Sequence, residues 1–268
     1  MLTGPEEQSK PKVEFFSNQA YVFRSKISLK HTFYSNRLIG WIFSRKELLM
    51  FKEYARRLTI CIIGLVLYAL GNYFGVLAGW AGTNGWNTLG LGVAGTTGLS
   101  FGTSIFLISV VILVIDFIGK GKLGIGTFLN ATLIAWFSDF FLNTFNFIPA
   151  PSSYAMGVCY TLFGQLIIAF ATVVYMSTAL GAGPRDTLMV ICSKAFPKVP
   201  VGFVKFVLEM IALVTGVMMG APFGLGTVLV VALQASFFQF ACYVTKFVPR
   251  EVQNEDLADT WRRITAKH

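Results

Sequence analysis

The sequence predicts an all-α polytopic membrane protein: six transmembrane helices arranged as two inverted three-helix repeats, each with one short re-entrant or interfacial helix. Three observations lead there. Of 268 residues, 54% are hydrophobic and only 13% charged, about half the charged fraction of an average soluble domain. The apolar residues gather into runs of about 20 with few charges, the length that crosses a bilayer as a helix. The chain also resembles itself at a spacing of about one hundred residues.

Residues 1–57 are basic and aromatic and hold half of all Lys and Arg. They contain no early apolar core and no small-residue cleavage site, so an uncleaved N-terminus that stays in the cytosol is expected. Segment 37–57 mixes Trp41, Ile42 and Phe43 with Arg37, Arg45, Lys46, Arg56 and Arg57. An interfacial helix on an anionic leaflet is the simplest account. A nucleic-acid-binding arm is the alternative; no motif supports it, and nucleic acid is not taken as a partner.

Spans are expected at 58–80, 99–118, 124–148, 156–180, 199–220 and 224–246, followed by a solvated tail, 247–268, with a short charged helix. The first three spans form one membrane repeat, 58–148, and the last three a second, 149–246. The net charge of +9 is placed unevenly. Linker 119–123 carries Lys120 and Lys122, and segment 181–198 carries Arg185, Lys194 and Lys198, whereas 81–98, 149–155 and 221–223 have neither Lys nor Arg. Basic and non-basic loops therefore alternate. The positive-inside rule then puts both termini in the cytosol, with the loops around Thr83, Ser152 and Pro222 outside.

Gly124-Ile125-Gly126-Thr127 opens the third span, and Gly224-Leu225-Gly226-Thr227 opens the sixth. Thr88-Leu89 aligns with Thr187-Leu188, Gly102 with Gly202, and Asp139 with Gln239. Two tandem copies with an odd number of spans must cross the membrane in opposite senses, as the charge pattern also requires. Such repeats recur in secondary transporters, with sites near the bilayer midplane. The GxGT blocks themselves read as helix packing contacts, since they lack phosphate-loop spacing.

Segments 81–98 and 181–198 are too apolar for ordinary loops and too short to span. Gly183-Pro184 is a good helix start, Asp186 falls in the first turn at the positive end of the helix dipole, and Asn84 takes the matching cap position in the first copy. Arg185 and Asp186 thus begin a broken helix. A topogenic Arg with a local Asp partner at the interface accounts for the same pair.

The block GAGPRDTLM (181–189), Gly85-Trp86-Asn87-Thr88-Leu89, the stretch from Gly98 to Thr103 with Asp116, and GIGTFLNA (124–131) resemble the YczE/YyaS/YitT family of bacterial membrane proteins. The resemblance covers about 58–245. It implies the architecture and no particular substrate. The chain departs from the family pattern at Asn87, where an Asp after Trp is expected, and in its long basic N-terminal extension.

Nine of the thirteen acidic residues lie in the tails. Asp116, Asp139, Asp186 and Glu209 remain, joined by Lys205; an ionised group at the bilayer centre costs at least ~2.5–3.5 kcal/mol. Gly202, Lys205, Glu209, Ala212, Gly216 and Gly220 share one helix face. Lys205 and Glu209 stand at i,i+4 and can pair, or Lys205 can snorkel to the interface. Asp116 is expected at the cytosolic end of its span, within reach of water. Asp139 and Gln239 serve either a polar site or interhelical glue, while Asn130, Asn143 and Asn146 carry no separable signal. The site expected from all this joins Trp86-Asn87 and Arg185-Asp186 with Ser109, Lys205 and Glu209.

Cys61, Cys159, Cys192 and Cys242 show no paired spacing and read as apolar packing. His31 and His268 lie in the tails, which leaves no His-based metal site or Ser-His pair, and no cofactor is implied. No catalytic constellation has usable spacing, so an enzyme is not expected. A small transporter or permease for a polar or ionic solute is the leading expectation. The alternative is a non-transporting scaffold or maturation partner of another protein, using the basic N-terminus. Lipid is a partner in either case, and substrate, coupling ion and oligomeric state are left open.

Overall fold

Glycine, proline and serine punctuate the apolar stretches into nine α-helices among the residues that the computed structural model describes, 45–145, 148–249 and 252–265. In chain order they are α1 Arg45–Leu77, α2 Gly85–Thr97, α3 Phe101–Ile118, α4 Ile125–Thr144, α5 Tyr154–Met176, α6 Pro184–Ala195, α7 Val201–Met218, α8 Leu225–Thr245 and α9 Leu257–Thr265, with a 3-10 turn at Gly79–Ala81. There is no strand among the described residues. Helices α1, α3, α4, α5, α7 and α8 are long and apolar enough to cross a membrane. Tyr54–His268 form one compact unit. Most of the basic N-terminal segment, His31, Asn146 and His268 lie outside the described residues.

Local chemistry sets the boundaries. Asn84 caps α2 by accepting from the Asn87 amide, 2.9 Å, and Gly98 ends it in a left-handed conformation. Ser100 and Ser153 cap α3 and α5 through Thr103 N–H and Met156 N–H. Pro184 stands in the first turn of α6, where its missing N–H has no cost. The spans run two to four residues shorter than hydropathy predicts at several ends, because these caps and turns stop them before the apolar run does.

Of segment 37–57, residues 45–57 are the opening of α1, continuous through Leu77, since nothing between Arg45 and Ile63 breaks a helix; residues 37–44 lie outside the described residues. One expectation is corrected: the C-terminal tail is not solvated along its length. Glu255 is buried and accepts from Tyr54 Oη at 2.6 Å and Arg57 Nη1 at 2.9 Å. Its amide donates to Ala179 O at 3.0 Å, and the Leu257 amide donates to Leu123 O at 3.0 Å. Among the cysteines, Cys61 is buried but Cys159 is exposed. Thr83, read as an outer loop residue, is buried.

The cores are built from α1 against α4 and α5 against α8. Cys61, Leu65 and Tyr175 cluster with Ile134 and Ala135, Ala69 and Tyr73 with Phe141, and Ala169 and Val173 with Ala241. Close approaches recur one hundred residues apart. A Cβ on Gly64 would lie 2.7 Å from Tyr175 N, and one on Gly164 would lie 3.1 Å from Gly75 N. The GxGT blocks do the same: Gly124 and Gly126 abut Leu180 and Gly181, while Gly224 and Gly226 abut Ala81. The short helices exchange partners in the same way, α2 packing on α7 and α6 on α3. Outward faces of α3 and α7 present Val111, Val114, Phe203 and Ile211, the surface a helix shows to lipid.

Gly164 permits the crossing of α1 and α5, whereas a Cβ on Gly202 would meet nothing within 4 Å. Overpacking a tight contact costs about 1–3 kcal/mol. Gly164→Val should therefore lower the thermal midpoint of the purified protein in detergent by several degrees, and Gly202→Ala should leave it unchanged.

Candidate functional site

Short helices α2 and α6, of 13 and 12 residues, reach about 20 Å at helical rise, less than the ~30 Å apolar thickness of a bilayer. Their first turns meet. The Arg185 guanidinium lies 4.9 Å from the centre of the Trp86 ring, a cation–π contact that holds the charge without an acid. Around this contact is a cavity of about 270 Å³.

Trp86, Ser109, Arg185, Asp186, Lys205 and Glu209 all line this cavity. The four charged groups do not pair by sign: no Arg or Lys among them lies within 4.0 Å of Asp186 or Glu209. Glu209 is buried and its Oε1 accepts from the amide of Gly85 at 2.8 Å, closing the first turn of α2 from the neighbouring helix α7. Asp186 Oδ2 accepts from Tyr175 Oη at 2.7 Å. Lys205 Nζ stands 5.9 Å from the Phe238 ring centre. The expected Lys205–Glu209 pair is thus not formed, because the helix end outcompetes the ammonium for the carboxylate. Ser109 donates back to Ile105 O along its own helix, 2.8 Å.

Three sequence candidates lie elsewhere. Asn87 is fully buried and does not line the cavity, its Nδ2 donating to Asn72 Oδ1 at 3.0 Å, and Asn72 Nδ2 in turn donates to Ser138 Oγ at 3.4 Å. Asp139 closes the first turn of α3, accepting from Gly102 N at 2.6 Å and from Ser100 Oγ. It bridges two helices as interhelical glue. Gln239 is exposed on α8. Asp116, expected within reach of water, is fully buried in the last turn of α3, and neither carboxylate oxygen has a hydrogen-bond partner. The turn after α3 folds over it, Gly121 N donating to Asp116 O at 2.8 Å while Thr187 and Ile191 of α6 close against Gly121.

Sequence reasoning missed Tyr68, Asn130, Gln165, Tyr175 and Gln234, which also line the cavity. Gln165 is the most telling, buried with its Oε1 unpartnered. Its signal was available, an amide in mid-span, and buried polar groups of this kind ordinarily find partners. Asn130 likewise carried no separable signal in the sequence, yet its side chain packs against Gly183 at the start of α6.

Six apolar helices around a polar interior define a multi-pass membrane protein. More narrowly, residues 55–242 match the family described as "Family of unknown function (DUF6198)", and the chain belongs to it. It is 33% identical over 195 residues to a Haemophilus influenzae protein named "Uncharacterized protein", covering 72% of this chain and 87% of that one. It is 30% identical over 194 residues to the "Uncharacterized membrane protein YczE" of Bacillus subtilis, covering 72% and 88%. No solved structure matches.

Removing the Glu209 carboxylate leaves the Gly85 amide without its acceptor, at about 1–2 kcal/mol for a lost helix cap. Glu209→Ala should lower the thermal midpoint measurably, and Glu209→Gln, which keeps an Oε1 acceptor, should recover most of the loss.

Proposed function

We propose that this protein is a small transporter or permease for a polar or ionic small solute, built as an inverted-topology repeat. One arrangement supports it above the rest: two short helices begin in the interior, point their first turns at one another, and enclose a cavity carrying Arg185, Asp186, Lys205 and Glu209. Charged groups inside a membrane body mark solute or ion pathways, and broken helices there are tolerated where they line a cavity.

Support for the repeat comes from contacts that recur at a shift of about one hundred residues, including the exchanged partners of α2 and α6. Trp86 and Arg185 occupy equivalent positions and touch each other, as two residues beside a two-fold axis do. On this reading α2 and α6 are re-entrant, the membrane is the bacterial cell membrane, and both termini are cytosolic with the basic segment against anionic lipid.

Topology is tested with single cysteines in a background lacking the native four. Variants at Trp80, Ser152 and Phe223 should react with an impermeant thiol reagent added outside intact cells, and variants at Lys120 and Lys198 should not; the reverse labelling sinks the repeat. For activity, proteoliposomes incubated with a metabolite extract should accumulate at least one polar solute above empty liposomes. Glu209→Gln should abolish or uncouple that uptake with expression nearly intact, and Lys205→Ala should weaken it. Deleting residues 1–44 should leave uptake in place, whereas a scaffold acting through that arm would fail.

A further inference from the structure

The two short helices begin differently, and the difference indicates what the cavity holds. In the first turn of α2, Asn84 Oδ1 takes the Asn87 amide and Glu209 Oε1 takes the Gly85 amide. Helix α6 has no side-chain cap; Pro184, which stands where α2 has Gly85, carries no N–H, and among the described residues the Arg185 and Asp186 amides have no acceptor. At the shift of one hundred that relates α3 to α7, the counterpart of Glu209 is Ser109. Its hydroxyl is turned back to Ile105 O. A neighbouring helix supplies a carboxylate to the start of α2; none does so at the start of α6, where Asp186 is engaged by Tyr175 and the space beside Arg185 belongs to the cavity.

From this, and resting on the repeat proposed above, we infer that the cavity binds a small zwitterion of the amino-acid class. Its carboxylate stands at the start of α6 as Glu209 stands at the start of α2, but one residue further in, on the Arg185 and Asp186 amides and the Arg185 guanidinium, because Pro184 has no N–H to offer. Helix starts favour anions there, and Lys205 lines the same space without an ion-pair partner. The ammonium end is called for by two further facts. Gln165 Oε1 is buried, unpartnered and on the cavity wall, so it needs a donor. The four charged groups of the cavity sum to zero, and a zwitterion adds no net charge to a body surrounded by lipid, unlike a lone anion or cation. A volume of about 270 Å³, at the small end of the ~300–1,000 Å³ typical of ligand pockets, restricts the ligand to a compact molecule.

The full chain in detergent is titrated calorimetrically with each of the twenty proteinogenic L-amino acids, and each binder with its decarboxylated amine and its deaminated acid. At least one amino acid should bind, at least tenfold more tightly than either counterpart. Ser109→Glu, which supplies α6 with its own carboxylate, should abolish binding and raise the thermal midpoint of the ligand-free protein. Gln165→Leu, which installs the residue found at position 65, should weaken binding about tenfold through one lost hydrogen bond while the protein stays folded. Binding of the acid or amine as tight as that of the amino acid overturns the inference, as does undiminished binding by folded Ser109→Glu, or no amino acid binding at all. Amino-acid binding without flux in proteoliposomes would overturn the transport reading alone; flux of other solutes without amino-acid binding would overturn this inference alone.

Discussion

Backbone donors at helix starts that water cannot reach govern this structure. A lipid-embedded body offers them little solvent, so an acceptor inside the protein or in a cavity must serve them. Glu209 serves α2 from α7, Asp139 serves α3 from α4, and Leu180 O serves Gly126 at the start of α4 from the loop after α5. Each of these bonds joins two separate elements, so the need that ends a helix also fixes which helix lies beside it. Two of the four acidic side chains outside the tails, Asp139 and Glu209, are consumed in this way, while Asp186 takes the Tyr175 hydroxyl and Asp116 has no hydrogen-bond partner.

Much of this was legible in the sequence because hydropathy and turn chemistry are local. Six spans, two short helices, the cap at Asn84 and the helix start at Pro184 follow from runs of apolar residues and from Gly, Pro and Asn between them. The cluster of Trp86, Arg185, Lys205 and Glu209 was legible because ionised groups in apolar runs are rare enough to single out. What escaped depends on neighbours far away in sequence. Asp116 reads as a helix-end acid until α6 and the Gly119–Gly121 turn are laid over it. Gln165 is one amide among several until its oxygen is seen without a donor. Glu209 reads as the partner of Lys205 because i,i+4 spacing is visible in one dimension, and the amide of Gly85 is not.

Pseudo-equivalence of contacts coexists with divergence of side chains. Glycines at 64 and 164 hold the same kind of crossing, and the GxGT openings receive the same kind of loop. Positions facing the cavity differ: Lys205 stands opposite Ile105 in the register, Glu209 opposite Ser109, Gln165 opposite Leu65, and Gln234 opposite Ile134. Packing demands small residues and tolerates little variation, whereas the residues lining the cavity differ between the matched positions.

The buried carboxylate of Glu255 also bears on how the chain is made. It closes on Tyr54 and Arg57, 201 and 198 residues earlier, and its backbone ties the loops at Leu123 and Ala179 to the tail. The cap of α2 arrives 124 residues after the helix it serves. During synthesis the Gly85 amide therefore stays open until Glu209 has followed it, and the Tyr54 and Arg57 donors until Glu255 has followed them. A nascent chain halted partway leaves the start of α2 and the opening turns of α1 without these acceptors.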